Sequence, residues 1–257
     1  SGVPESERHN EVERRAREEA HRPFDLARSL PVRARLLRLD DEQHALLVTL
    51  HHIAADGWSL NLFVREFAAL YDAFHAGRPS PLEELNVQYA DYAVWQRNWL
   101  MGDVLERQLA YWRQQLAGCE PVLQLPTDRP RPAMQTYRGG KESFAVPAAL
   151  YDELRALSRK EDVTLFMTLA TAFLVVLHRH TGQEDINLGS NIAGRNRLET
   201  EGLIGFFINL LVIRTRLSGD PTFSELLARV RESAMGAYAH QDVSFDKLVE
   251  ELQPPRD

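Results

Sequence analysis

Between Ala45 and Phe74 the chain changes its hydrophobic period across one short joint. The run Ala45-Leu46-Leu47-Val48-Thr49-Leu50 is short, aliphatic and preceded by the turn-forming Asp40-Asp41-Glu42-Gln43, a pattern that reads as a strand. From Ser59 the apolar residues Leu60, Phe63, Phe67, Leu70, Tyr71 and Phe74 recur three and four positions apart, which is helical, and the Ser59 hydroxyl suits an N-cap. His51, His52, Asp56 and Gly57 fall on the turn between strand and helix. Such turns hold chemical groups rigidly at both ends and leave the middle open.

A neutral imidazole takes and returns a proton near neutral pH, its ordinary pKa being about 6.5. If the strand continues through the histidine pair, successive side chains point to opposite faces, so one ring faces a cavity and the other packs inward. Asp56 either fixes a ring tautomer or braces the turn through a hydrogen bond or an arginine pair. Gly57 would admit a backbone angle that a side chain forbids. The plain alternative is a structural His-His pair at a strand end. A metal site is disfavoured, because no second His/Cys cluster of ligand spacing accompanies the pair, and His178 and His180 close a long apolar helix pattern.

With 257 residues, 44% of them hydrophobic, the chain can bury one large core or two small ones. A formal charge of -7 and the lack of a long basic run argue against nucleic acid as a partner. No apolar segment reaches bilayer-spanning length and the first residues are polar, so neither membrane association nor a leader is expected, and the cytoplasm is the expected compartment. The single Cys119 has no partner for an internal disulfide. Its neighbour Glu120 disfavours a reactive thiolate.

The rest of the chain alternates in the same way. Glu11 to Ala20 is a charged surface helix, and Arg33 to Leu39 alternates basic and apolar residues as a strand that Asp40 to Gln43 turns back towards His51. Those arginines read as the solvated face of a hairpin rather than a nucleic-acid patch. Gly77-Arg78-Pro79-Ser80-Pro81 stops the helix begun at Ser59. Helical spacing returns from Tyr89 through Trp95 to Trp99, and again from Val104 to Leu116. Residues 118–140, rich in proline, form an extended connector between lobes. Beyond it, Lys141 to Val146 reads as a strand and Pro147 to Lys160 as an amphipathic helix. Thr164 to His180 reads as a helix apolar enough to be buried on most sides. Asp185 to Ile192 and Leu210 to Leu217 are strands, and a long helix begins at Pro221 or Thr222. Alternation on this scale argues α/β layers, not a helical bundle.

Four stretches carry a resemblance. His51-His52-Ile53-Ala54-Ala55-Asp56-Gly57-Trp58-Ser59 resembles the HHxxxDG signature of condensation domains of non-ribosomal peptide synthetases, relatives of chloramphenicol acetyltransferase. Tyr89-Ala90-Asp91-Tyr92-Ala93-Val94-Trp95 matches a further motif of those domains, and Ile204-Gly205-Phe206-Phe207-Ile208-Asn209, running on to Arg214, resembles their IGxFVN. His240-Gln241-Asp242-Val243-Ser244-Phe245-Asp246 resembles HQDxPFE, with Ser244 and Asp246 as mild exchanges. Read without the family, this last stretch is a polar joint between helices, with Asp242 or Ser244 as a cap.

The resemblance implies a two-lobed α/β fold of the chloramphenicol-acetyltransferase type, with mixed sheets covered by helices. Residues 1–117 would complete the first lobe, 118–140 the connector and 141–257 the start of the second. It implies amide formation between aminoacyl or peptidyl thioesters on 4'-phosphopantetheine arms, which flanking donor and acceptor carrier domains bring beside an adenylation domain. No cofactor of the domain's own is implied. His52 would act on the acceptor amine with His51, Asp56 and Gly57 around it. Arg195 or Arg214 would pair with Asp56, and Trp58, Ser59, Tyr89, Trp95, Gly205, Asn209, His240, Gln241 and Asp242 would line or support the passage. Trp58-Ser59 after the motif leans towards joining two L-residues. An epimerisation domain, an acyltransferase using coenzyme A and a non-catalytic recruitment module are the alternatives. The early motifs of the family are missing and Pro254-Pro255-Arg256-Asp257 resembles the start of its last one, so a fragment of a longer domain is expected.

Overall fold

The computed structural model describes residues 4–120, 122–130, 132, 134, 136 and 139–254. In chain order the elements are α1 (Glu5–His21), β1 (Val32–Arg38), β2 (His44–Leu50), α2 (Gly57–His75), α3 (Tyr89–Trp99), α4 (Gly102–Leu116), α5 (Ala148–Lys160), α6 (Leu165–Thr181), β3 (Asp185–Ile192), α7 (Leu198–Glu201), β4 (Asn209–Arg216), α8 (Phe223–Ala239) and α9 (Phe245–Leu252). They divide into two compact units, Ser1–Asn98 with Ala193–Ile208, and Trp99–Ile192 with Asn209–Asp257. These units part elsewhere than at the connector: α4 belongs to the second, and the segment between β3 and β4 belongs to the first. Of the expected closing motif, 255–257 lie outside the described residues.

In the first unit β1 and β2 pair antiparallel, from Val32 opposite Leu50 to Arg38 opposite His44. Asp40 closes the hairpin by accepting the N–H groups of Glu42 and Gln43 at 2.9 and 2.7 Å, an aspartate turn set by the side chain itself. α1 carries Arg14 and Arg15 within bonding reach of Glu11, whose carboxyl they lower to about 2. Arg33 of β1 is not a solvated side chain. It pairs with Glu19, donates to the carbonyls of Glu19, Arg22 and Pro23, and lies 3.7 Å over the Phe24 ring. A cation at a helix C-terminus suits the free carbonyls there.

In the second unit β3 and β4 pair antiparallel, from Asp185 opposite Arg216 to Ile192 opposite Asn209. One core joins Met167, Leu174 and Leu177 of α6 to Ile186, Ile213 and the α8 residues Leu226, Leu227 and Val230. A second gathers Leu109 and Trp112 of α4 with Leu211, Ala237, Val243 and Leu248. Thr222 opens α8 with a full capping box to Glu225, and Ser244 caps α9 by accepting the Lys247 N–H.

Two expectations fail here. Lys141 to Val146 forms no strand; the stretch is exposed throughout, and no described strand pairs with it. Strand propensity becomes a strand only where a neighbour completes the ladder. α6 is buried on one face only: Phe166, Leu169, Phe173 and Val176 are each more than two-fifths exposed. Its apolar composition says the helix favours burial, but not how many neighbours it has.

Candidate functional site

β2 ends at Leu50, so the histidine pair lies outside the strand, in a turn closed by the Ala54 N–H donating to the His51 carbonyl at 2.9 Å. The two rings diverge because of that turn, not because of strand alternation. His51 packs edge-on against Phe24 at 5.6 Å, and its Nδ1 accepts the Ile53 N–H at 3.1 Å. His52 is exposed, with Nδ1 2.8 Å from the Ala55 carbonyl. A carbonyl can only accept, so Nδ1 carries the proton and the lone pair of the neutral ring lies on Nε2. The ring lines a groove of about 770 Å3 formed by Ala16 and Ala20 of α1, by β2 from Leu46 to Leu50, and by Gly57 and Leu60.

Asp56, not Ser59, is the N-cap of α2: its Oδ1 accepts the Ser59 N–H at 2.8 Å. Gly57 opens the helix in ordinary backbone geometry, and a Cβ placed there would meet nothing within 4 Å. The expectation of a special backbone angle at Gly57 therefore fails; what the residue leaves is open space at the helix N-terminus.

Ser59 is fully buried, and its hydroxyl binds the distant Gly205 on both sides, donating to the carbonyl at 2.8 Å and accepting the N–H at 3.0 Å. It also accepts from Arg195 Nη2 at 2.9 Å. One donated and two accepted bonds exhaust what a hydroxyl can make.

Arg195 is the arginine partner of Asp56, at 3.3 Å, with side-chain exposures of 1% and 0%. Its Nη1 donates to the carbonyls of Thr200 and Leu203, and the guanidinium lies 4.0 Å over the Phe207 ring. Asp56 Oδ2 accepts the Phe207 N–H at 3.1 Å. Burial pushes the Asp56 carboxyl up, but the N–H groups of Ser59 and Phe207 and the charge of Arg195 outweigh it, so the net displacement is below the usual range. Arg214 belongs elsewhere, bound to Asp185 at 2.8 Å and to the carbonyls of Gln115 and Ala117.

The remaining expected residues fall in two groups. In the first unit Trp58 Nε1 donates to the Glu201 carbonyl at 2.9 Å, Tyr89 donates to the Phe206 carbonyl at 2.8 Å, and Trp95 lies under the Arg197 guanidinium at 3.9 Å. Burial and the Asp56 charge raise the Tyr89 phenol, with Arg195 opposing. In the second unit Asn209 holds the joint between α8 and α9: it donates to the carbonyls of Gln241 and Val243 and accepts the Phe245 N–H. His240 stacks on Tyr111 at 3.9 Å, Gln241 donates to the Tyr238 carbonyl and Asp242 accepts from Gln108. The contacts of these three residues lie within their own unit.

Two contacts of His52 had no sequence signal as contacts. The Ala55 carbonyl belongs to an unremarked position of the turn, and Phe206, whose ring meets His52 edge-on at 5.1 Å, is the unspecified residue of the IGxFVN-like stretch.

A family model described as "Condensation domain" matches residues 1–257. One of the linear gramicidin synthase proteins of Brevibacillus parabrevis is 56% identical over 99% of this chain, which spans 5% of that protein. The X-domain from teicoplanin biosynthesis, also solved in complex with OxyB, superimposes with a TM-score of 0.90 at 33% identity, over 99% of this chain and 57% of that one. The first condensation domain of the calcium-dependent antibiotic synthetase shares the fold, with a TM-score of 0.75 at 23% identity over 96% of this chain and 54% of its own.

Proposed function

The chain belongs to the condensation-domain family, with that family's chloramphenicol-acetyltransferase-like α/β fold, and from this premise we propose that it joins two thioester-bound substrates through an amide. The donor and acceptor acyl groups are brought on the phosphopantetheine arms of carrier domains, next to an adenylation domain, in the cytoplasm. The acceptor amine attacks the donor thioester carbonyl; a C–N bond forms, the C–S bond breaks, and the amine proton ends on the released thiol. His52 Nε2 takes that proton or holds the amine in line. The oxyanion of the tetrahedral intermediate is received by the N–H of Gly57 at the start of α2, the positive end of the helix dipole. Asp56 acts as a brace and does not exchange protons with substrate. The lobes expected from the sequence, divided at 118–140, are part of the same proposal.

The observation that carries the reading is the 2.8 Å contact of His52 Nδ1 with the Ala55 carbonyl: because a carbonyl only accepts, the neutral ring keeps its lone pair on Nε2, on an exposed side chain beside the start of α2. The groove along β2 supports delivery of an elongated, tethered substrate to that ring. In the intact protein with both carrier domains loaded, His52→Ala should abolish the amide product seen by mass spectrometry while loading continues. A near-normal single-turnover rate would remove His52 from the mechanism.

The likeness to the X-domain favours one second reading, a module that recruits partner proteins without turnover. Stable binding of a partner protein, with no product from loaded carriers even in the unsubstituted protein, would favour it.

A further inference from the structure

The hydrogen bond from His52 Nδ1 to the Ala55 carbonyl fixes one atom of the ring but leaves the imidazole free to swing about that bond. The edge-on contact with Phe206, at 5.1 Å and 83°, removes the second freedom. The backbone that presents Phe206 has no regular structure, yet each of three successive residues is tied. Ser59 binds Gly205 through both N–H and carbonyl, Tyr89 takes the Phe206 carbonyl, and Asp56 takes the Phe207 N–H. Gly205 allows the close approach this needs, since a Cβ there would lie 2.2 Å from the Tyr89 ring. On the other flank, Gly194 has φ +63 and a Cβ there would lie 2.0 Å from the Phe207 carbonyl oxygen. The segment is thus gripped from the starts of α2 and α3.

We propose that Phe206 is a positioning residue for His52: its ring holds the imidazole with Nε2 towards the open side, and Asp56, Ser59 and Tyr89 act on that imidazole through the backbone of Phe206. This rests on the reading of His52 as the group that handles the acceptor amine. A loop segment that served packing alone would need its apolar side chain inside, whereas the Phe206 side chain is directed onto a ring that is itself exposed, and Phe206 is 37% exposed. Rigid support of a reacting group by its neighbours is what keeps it within a fraction of an ångström of productive geometry.

The test uses the intact protein with loaded carrier domains and the variants Phe206→Ala, Phe206→Leu and Phe206→Tyr. Phe206→Ala should slow single-turnover amide formation by about 10- to 100-fold, the size expected for a misplaced catalytic group, with the apparent affinity for loaded carriers unchanged. Phe206→Tyr, which keeps the ring, should restore most of the rate. A second readout needs no turnover: carbethoxylation by diethyl pyrocarbonate, mapped by peptide mass spectrometry, with His51 as internal reference. In Phe206→Ala the His52-to-His51 modification ratio should rise several-fold. An unchanged ratio together with an unchanged rate overturns the proposal, and Phe206→Leu decides by the same ratio if the alanine variant does not fold. A shifted ratio in a protein whose His52→Ala variant still forms amide would instead defeat the catalytic reading and leave the positioning contact standing.

Discussion

Arg195 and Asp56 meet at 3.3 Å across 139 positions of sequence, both side chains withdrawn from solvent. The pair ties the turn that carries His52 to the segment that carries Phe206. Its role is therefore to join two distant stretches in one geometry, while the ring proposed to handle the proton is left outside. A buried pair of this kind contributes little beyond what an apolar pair would, but breaking it is severe, because the surviving partner keeps an uncompensated charge.

Asp56→Ala should accordingly destabilise the intact protein locally by about 3–5 kcal/mol, read as a lowered denaturation midpoint of the transition that includes this unit. His52→Ala, at an exposed ring, should change the same midpoint by no more than about 1 kcal/mol. Equal effects of the two substitutions would contradict the division between brace and reacting group.

Acid should act through Asp56. Its folded-state carboxyl lies below the usual range, so its stabilising contribution is fully present above the unfolded value and is lost as pH falls through the folded one. With an unfolded value of about 3.9, the loss falls in the region below pH 4. Asp56→Asn should flatten the pH dependence of stability there; an unchanged slope would show that the carboxylate is not the group titrating.

Gly205→Ala would place a methyl group 2.2 Å from the Tyr89 ring. The ring must move, its hydrogen bond to the Phe206 carbonyl goes with it, and overpacking of this kind costs about 1–3 kcal/mol. Tyr89→Phe removes only the hydrogen bond and should cost about 1 kcal/mol. A thermal unfolding series on the two variants checks the order.

Asn209→Ala should open the joint between α8 and α9. Its side chain serves two carbonyls and one N–H there, and each buried group left unpaired costs roughly 1–3 kcal/mol. Hydrogen exchange should show faster exchange at Phe245 and the first turn of α9, with the His52 turn unaffected.

Residue order alone was enough for the hairpin of β1 and β2, the helices from α1 to α8 other than the single turn α7, and the strands β3 and β4, because each has its own hydrophobic period and its own stop. The His-His pair, Asp56 and the IGFFIN stretch were visible as a pattern of types, and the choice of Arg195 or Arg214 was narrowed to two. Failures came where a neighbour decides. Lys141 to Val146 has strand composition without a partner, α6 has an apolar exterior that only its surroundings could divide into buried and bare faces, and Ser59 is capped by Asp56 instead of capping.

What the sequence by itself determined is local: periods, turns, the kinds of group available at the joint between β2 and α2. Tertiary structure alone decided which arginine meets Asp56, that the Ser59 hydroxyl closes on Gly205, and that Phe206 lies against His52. The physical reason is that hydrogen bonds and ring contacts between residues more than a hundred positions apart depend on where the backbone returns, and no period or propensity within a short window encodes that return.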